Sequence, residues 1–96
     1  MRRQQSSPIG LLLSQYLREE GLETPLNEHR LVESWPQVMG PVINRYTGKR
    51  FIKDRTLYVQ ILSAPLKHEL TMLRSSIVQK LNQHVQAQVI TDIRFL

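Results

Sequence analysis

The three histidines, His29, His68 and His84, and the two aspartates, Asp54 and Asp92, are the residues from which acid–base or metal chemistry would have to be assembled. His68-Glu69 begins the H-E-x-x-H motif of zinc proteases, but the second ligand position falls on Met72. On one helix His68 and His84 would stand ~160° apart around the axis, so they could not share a metal. They read as solvent-facing side chains. Neither aspartate has a neighbouring histidine to orient, and the chain has no cysteine. Thiol catalysis, zinc ribbons, iron–sulfur clusters and disulfides are thereby excluded. Gly48-Lys49 has the look of a phosphate loop, yet Arg50 stands where Ser or Thr would hold magnesium, and Gly40 is too far upstream. The sequence predicts no enzyme, no cofactor and no small-molecule substrate.

The remaining chemistry is cationic and aromatic. Arg45, Tyr46, Lys49, Arg50, Phe51, Lys53, Arg55 and Tyr58 interleave charge and rings within fourteen positions. Between Arg45 and Arg55 five bases face one acid, Asp54, a local +4, whereas Glu19 to Glu33 carries five acids and one Arg30. Such a segment suits unpaired nucleic acid: bases stack on rings while Lys and Arg follow the phosphates, at ~1–3 kcal/mol per stacked base. Arg45, Lys49, Arg50, Phe51, Lys53, Arg55 and Tyr58 are accordingly the candidate nucleic-acid contacts. The same residues also read as a solvated hairpin with a cross-strand aromatic pair, its charges protecting a sheet edge. The glycines, at 10, 21, 40 and 48, lack the GXXG spacing of KH domains, and there is no RNP1 pattern. Trp35, on an apolar helical face, reads as a core anchor.

The elements that must position these residues are legible from period and punctuation. Ser7 and Pro8 open a helix with Ile9, Leu12, Leu13, Tyr16 and Leu17 on one stripe, closed at Gly21; residues 1–6 precede it as a flexible end. Thr24-Pro25 opens a second helix carrying Leu31, Val32, Trp35, Val38 and Met39, which Pro36 should break after Trp35. Gly40-Pro41 punctuates it, and a turn of helix follows to Gly48. Phe51-Ile52 and the alternating Leu57, Val59 and Ile61 then predict a β-hairpin around Asp54-Arg55. With a two-residue turn, Phe51 pairs with Tyr58 on one face, beside Lys53, and Ile52 joins Leu57 and Val59 on the buried face. A one-residue slip would bury Phe51 instead. Ser63-Ala64-Pro65 opens one long helix with Leu66, Leu70, Leu73, Ile77, Leu81 and Val85 inward, and alternation from Val89 to Phe95 predicts a last strand.

The order helix, helix, strand, strand, helix, strand predicts an α+β fold, a three-stranded sheet with its helices largely on one face. The chain of 96 residues and 11.3 kDa, 41% hydrophobic and 22% charged, fits a single domain spanning 1–96. A net charge of +5 and a pI near 10.1 favour anionic partners. The longest apolar stretch, Ile9 to Leu13 (with Gly10), falls far short of a membrane span. Gln4 to Pro8 interrupts any signal peptide, so a soluble cytoplasmic protein with no membrane partner is expected.

Taken in order, several pieces resemble the bacterial DciA family, long catalogued as a domain of unknown function. They are Trp35, Val38-Met39-Gly40, Pro41-Val42-Ile43, the hairpin Asp54-Arg55-Thr56-Leu57-Tyr58-Val59, Ser63 with Leu66, Glu69-Leu70 and Leu73, Leu81-Asn82, and Asp92-Ile93-Arg94-Phe95. The resemblance runs from about Leu26 to Phe95. It implies a KH-like fold and a non-enzymatic accessory role in DNA replication: members associate with the replicative helicase, promote its loading or activity, and some bind DNA, single-stranded or forked. An RNA- or ribosome-associated KH-like module is the alternative that the basic segment supports. Three departures stand out. Arg55 replaces the hairpin glycine, the chain ends at Leu96 without the basic tail of longer members, and a cysteine-free chain cannot carry the zinc ribbon of some family descriptions.

Overall fold

The computed structural model describes residues 12, 13, 15 and 23–96. The flexible end expected at 1–6 and the helix expected from Ser7 to Gly21 lie outside these residues, apart from Leu12, Leu13 and Gln15, which are helical. The described elements run α1 (Glu23–Glu33), α2 (Trp35–Met39), α3 (Pro41–Arg45), β1 (Thr47–Lys53), β2 (Thr56–Ile61), α4 (Ala64–Met72), α5 (Arg74–Val85) and β3 (Asp92–Phe95). The fold is α+β, with the strand order β1-β2-β3. Among the described residues no helix is long and apolar enough to cross a membrane.

The break between α1 and α2 falls at Ser34, one residue before Trp35 and not after it. Proline is tolerated only in the first turn of a helix, so a helix holding Pro36 has to begin next to it. Ser34 closes α1 by donating its hydroxyl to the Leu31 carbonyl at 2.7 Å. Gly40 then separates α2 from α3 at φ 90°, a left-handed backbone angle that suits glycine, and Pro41 takes the first position of α3.

The turn of helix expected to reach Gly48 ends at Arg45, and β1 starts at Thr47, four residues before Phe51. Trp35 explains the early start. Its ring is fully buried, and its indole N–H donates to the Thr47 hydroxyl at 3.0 Å, which in turn donates to the Ile43 carbonyl at 2.9 Å. One polar relay thus fixes α2, α3 and the head of β1 while the indole packs tilted against Phe95, centroids 6.4 Å apart.

The hairpin has the expected register, Phe51 opposite Tyr58 and Ile52 opposite Leu57. Asp54 and Arg55 both take positive φ, 52° and 62°, the signature of the type I′ turn that matches strand twist. Arg55 occupies the position where glycine is easiest, at a cost of roughly 1–2 kcal/mol. Its own groups offset this: the guanidinium donates to the Gln88 carbonyl at 2.9 Å, and its carbonyl accepts from the Thr91 N–H at 2.8 Å.

The single long helix expected after Ser63 is two, α4 and α5, broken at Leu73 with φ −107° and ψ 16°. Two residues earlier the Thr71 hydroxyl donates back to the Lys67 carbonyl at 2.7 Å, a bond that bends helices. Leu73 consequently leaves the apolar stripe and is exposed, while Leu70, Ile77, Leu81 and Val85 stay buried. His68 and His84 lie on different helices, both exposed. The last strand is shorter than the alternation suggests. Val89 and Ile90 are buried in the connection and only Asp92–Phe95 is strand, running parallel to β2. A parallel neighbour requires a crossover, which α4 and α5 supply.

The connection is held from inside by Asn82, a buried side chain with its full hydrogen-bonding capacity used. Its amide donates to the Gln88 side-chain oxygen and the Ile90 carbonyl, both at 2.9 Å. Its oxygen accepts from the N–H groups of Val89 and Ile90 at 3.1 and 3.2 Å. The core then closes on one face of the sheet: Leu57, Val59, Ile61 and Ile93 lie under Leu31, Trp35, Leu70, Ile77 and Leu81. On the opposite face Lys49, Phe51, Lys53, Gln60 and Arg94 are exposed.

Two stability outcomes follow. Trp35→Ala should lower unfolding stability by ~3–5 kcal/mol, read by denaturant titration; a variant melting within a degree or two of the parent would contradict a core role. Asn82→Ala should lose ~2–4 kcal/mol by leaving buried loop groups unpaired. In hydrogen exchange its Val89 and Ile90 amides should lose protection before those of β2 do.

Candidate nucleic-acid interface

Strand alternation distributes the candidate residues. In β1, Lys49, Phe51 and Lys53 are exposed, while Arg50 and Ile52 are half-buried on the helix side. The alternation is reset by a bulge near the strand's head: Thr47 pairs with Ile61 and Arg50 with Val59, so Gly48 and Lys49 together face Gln60. A Cβ at Gly48 would meet the end of the exposed Gln60 side chain, which would have to swing aside. The Gln60 oxygen accepts the Lys49 N–H at 3.2 Å, taking up a backbone donor that the bulge frees from the ladder.

At the centre of the open face Phe51 and Tyr58 stack, with centroids 5.0 Å apart and planes 15° from parallel. Phe51 is 45% exposed and Tyr58 half-buried, so the pair offers ring area to solvent while holding its place in the sheet. Lys49 and Lys53 flank Phe51 along the same strand.

The parallel register adds a cation that the sequence candidates do not include. Tyr58 pairs with Arg94 of β3, which brings an exposed guanidinium alongside the aromatic stack. Alternation alone puts Arg94 on the polar side of the last strand; which strand it joins is decided by the crossover. Asp92, the acid of the same strand, lies 3.5 Å from the Arg94 Nε and 3.8 Å from that of Arg74. Contacts of this kind between exposed groups are weak and screened, so Arg94 remains exchangeable toward a phosphate.

Of the seven sequence candidates, the structure brings together Lys49, Phe51, Lys53 and Tyr58. The other three lie elsewhere. Arg45 sits in the last turn of α3, off the sheet. Arg50 points to the helix side, where it donates to the Asn44 side-chain oxygen at 3.4 Å and its Nε is buried without a partner among the described residues. Arg55 is at the hairpin turn, its guanidinium tied to the Gln88 carbonyl.

Among the described residues no group of three or more His, Cys, Asp or Glu side chains could hold a metal ion. What the face offers is a ring pair for stacking and three cations spread around it. Stacking is tolerant of base identity, because every base has a π face.

Comparison with known proteins bears on the whole chain. No curated protein matches it. The family model described as "Dna[CI] antecedent, DciA" matches residues 8–95, a span that takes in every described strand and helix, the Trp35 anchor, the Asp54-Arg55 hairpin and the Asp92–Phe95 strand. The chain belongs to the DciA family, a replication-related family.

Proposed function

We propose that this protein is a non-enzymatic accessory factor of DNA replication that binds the replicative helicase and helps its loading or activity, holding single-stranded or forked DNA on its open sheet face. The observation that carries the DNA-binding part is the solvent-facing Phe51–Tyr58 stack with cations around it. An exposed ring pair at the middle of a sheet adds little to folding that a buried pair would not add more cheaply. It is a good platform for an unpaired base.

In this account Lys49, Lys53 and Arg94 follow the phosphates beside the stack. Arg45, Arg50 and Arg55 lie outside the stacking surface and add positive potential around the strand's path. Phosphate contacts position the strand and account for most of the affinity, so binding falls with salt. The helicase association rests on membership of the family.

Two outcomes test the proposal. Affinity capture from a bacterial lysate should enrich replicative helicase subunits; enrichment of ribosomal RNA and ribosomal proteins in their place would favour an RNA-associated module. Changing Lys49, Lys53 and Arg94 together to Gln should flatten the log–log salt dependence of single-strand binding by ~2, at ~0.7 for each phosphate that is no longer neutralised. Phe51→Ala should weaken single-strand binding more than duplex binding, with an unchanged circular dichroism spectrum. Equal weakening on both substrates would show that the ring does not stack on bases.

A further inference from the structure

Among the described residues, the strand order β1-β2-β3 leaves the outer edge of β3 without a strand neighbour. Backbone groups alternate in direction along a strand. The Leu96 N–H donates to the Val59 carbonyl at 2.8 Å, so Ile93, three residues earlier, turns its N–H the other way, toward that edge. The Asp92 Oδ1 accepts it at 2.8 Å, which brings the carboxylate to the rim of the sheet.

Two arginines meet on this one carboxylate. Arg74, the first residue of α5, comes from the helical layer and places its Nε 3.8 Å from Oδ1. Arg94 comes from the open face, where it stands beside Tyr58, and places its Nε 3.5 Å from Oδ2. The two side chains are 42% and 61% exposed. Each guanidinium carries five N–H donors, far more than one carboxylate oxygen at such a distance engages. Two positive charges around one negative leave the rim cationic, with donors to spare.

A strand lying across the aromatic stack carries a phosphate at every nucleotide and has to leave the face over one of its borders. Beyond Arg94 the next cation is Arg74, on the far side of the same carboxylate. Arginine binds phosphate through paired, charge-assisted hydrogen bonds, which are stronger than the long contacts that Asp92 makes here. We propose that the bound strand leaves the open face over the outer edge of β3, with Arg94 holding one phosphate and Arg74 the next. Asp92 is then the resident anion whose hold on the two arginines the phosphates take over. It keeps its place through the Ile93 N–H, so it gathers the arginines when no strand is bound and opposes binding as a competing charge. The inference rests on the open face being the nucleic-acid interface, and it gives that interface an exit.

The test titrates labelled oligothymidine with the intact chain over a range of salt, in the parent and in variants whose circular dichroism matches it. Arg74→Gln should flatten the log–log salt dependence by ~0.7, the share of one phosphate. Lys80→Gln removes the same charge from an exposed position farther along α5 and should leave the slope unchanged. Asp92→Asn keeps an oxygen for the Ile93 N–H and drops the charge. It should tighten binding about threefold, in the range of one exposed ion pair given up. That gain should shrink when Arg74→Gln is added, because the two residues act on one site. An unchanged slope in Arg74→Gln, with the Lys49, Lys53 and Arg94 triple variant still flattened, would overturn the exit and leave the interface standing. Equal flattening by Arg74→Gln and Lys80→Gln would reveal a response to net charge alone and would also overturn it, as would an Asp92→Asn gain undiminished by the loss of Arg74. Failure of the parent to bind any strand would overturn interface and exit together.

Discussion

The four hydrogen bonds of Asn82 are the constraint on which the rest of the structure depends. A parallel third strand cannot be placed by a tight turn; it has to arrive through a crossover and then be stopped at the correct residue. Asn82 stops it. Two donations and two acceptances fasten the chain at Gln88, Val89 and Ile90 to α5, immediately before β3 begins. From outside, the hairpin turn completes the hold through the Arg55 guanidinium on Gln88 and the Arg55 carbonyl on Thr91. With both sides fixed, Ile93 falls opposite Leu57 in the core and Arg94 opposite Tyr58 on the open face. A slip of one residue would exchange those two faces and place a guanidinium in the core.

Function is then a matter of what each strand's alternation leaves outside. One face of the sheet is committed to Trp35 and the leucine and isoleucine core, so the other is free to carry rings and charge without cost to packing. The bulge at Gly48 and Lys49 has two consequences at once. It resets the alternation at the head of the strand, so that Thr47 meets the Trp35 indole on the helix side, and it disrupts the ladder near the start of an edge strand, which discourages strand-to-strand association. A cationic, bulged edge and an exposed stack are compatible with solubility where a flat apolar sheet face would not be.

Much of this was legible in the sequence, because short-range rules governed it. A two-residue turn at Asp54-Arg55 with alternating apolar residues on either side dictates the Phe51–Tyr58 pairing, and a lone Trp on an apolar helix face dictates a buried anchor. The same alternation, followed strictly, sends Arg50 to the face opposite Phe51, so grouping it with its neighbours by proximity along the chain joined residues that the strand separates. Long-range facts were not available. That β3 runs parallel beside β2, and so delivers Arg94, depends on the crossover and on Asn82. The break at Leu73 accompanies the Thr71 hydroxyl's bond back to Lys67, which apolar spacing, continuous through the break, does not register. Asn82 itself was visible only as part of a family-like pair with Leu81, with nothing local to announce four partners.

The central claim is that the open sheet face, and not the helical side, meets nucleic acid. Chemical-shift mapping on isotope-labelled protein titrated with a short oligothymidine tests it most directly, since it locates contact residue by residue in the folded molecule. The account predicts perturbations concentrated on Lys49, Phe51, Lys53, Tyr58, Gln60 and Arg94, with the Phe51 and Tyr58 ring protons moving upfield under a stacked base. Perturbations confined to the helical side, around Arg45 and Arg50, with the two rings unmoved, would contradict it.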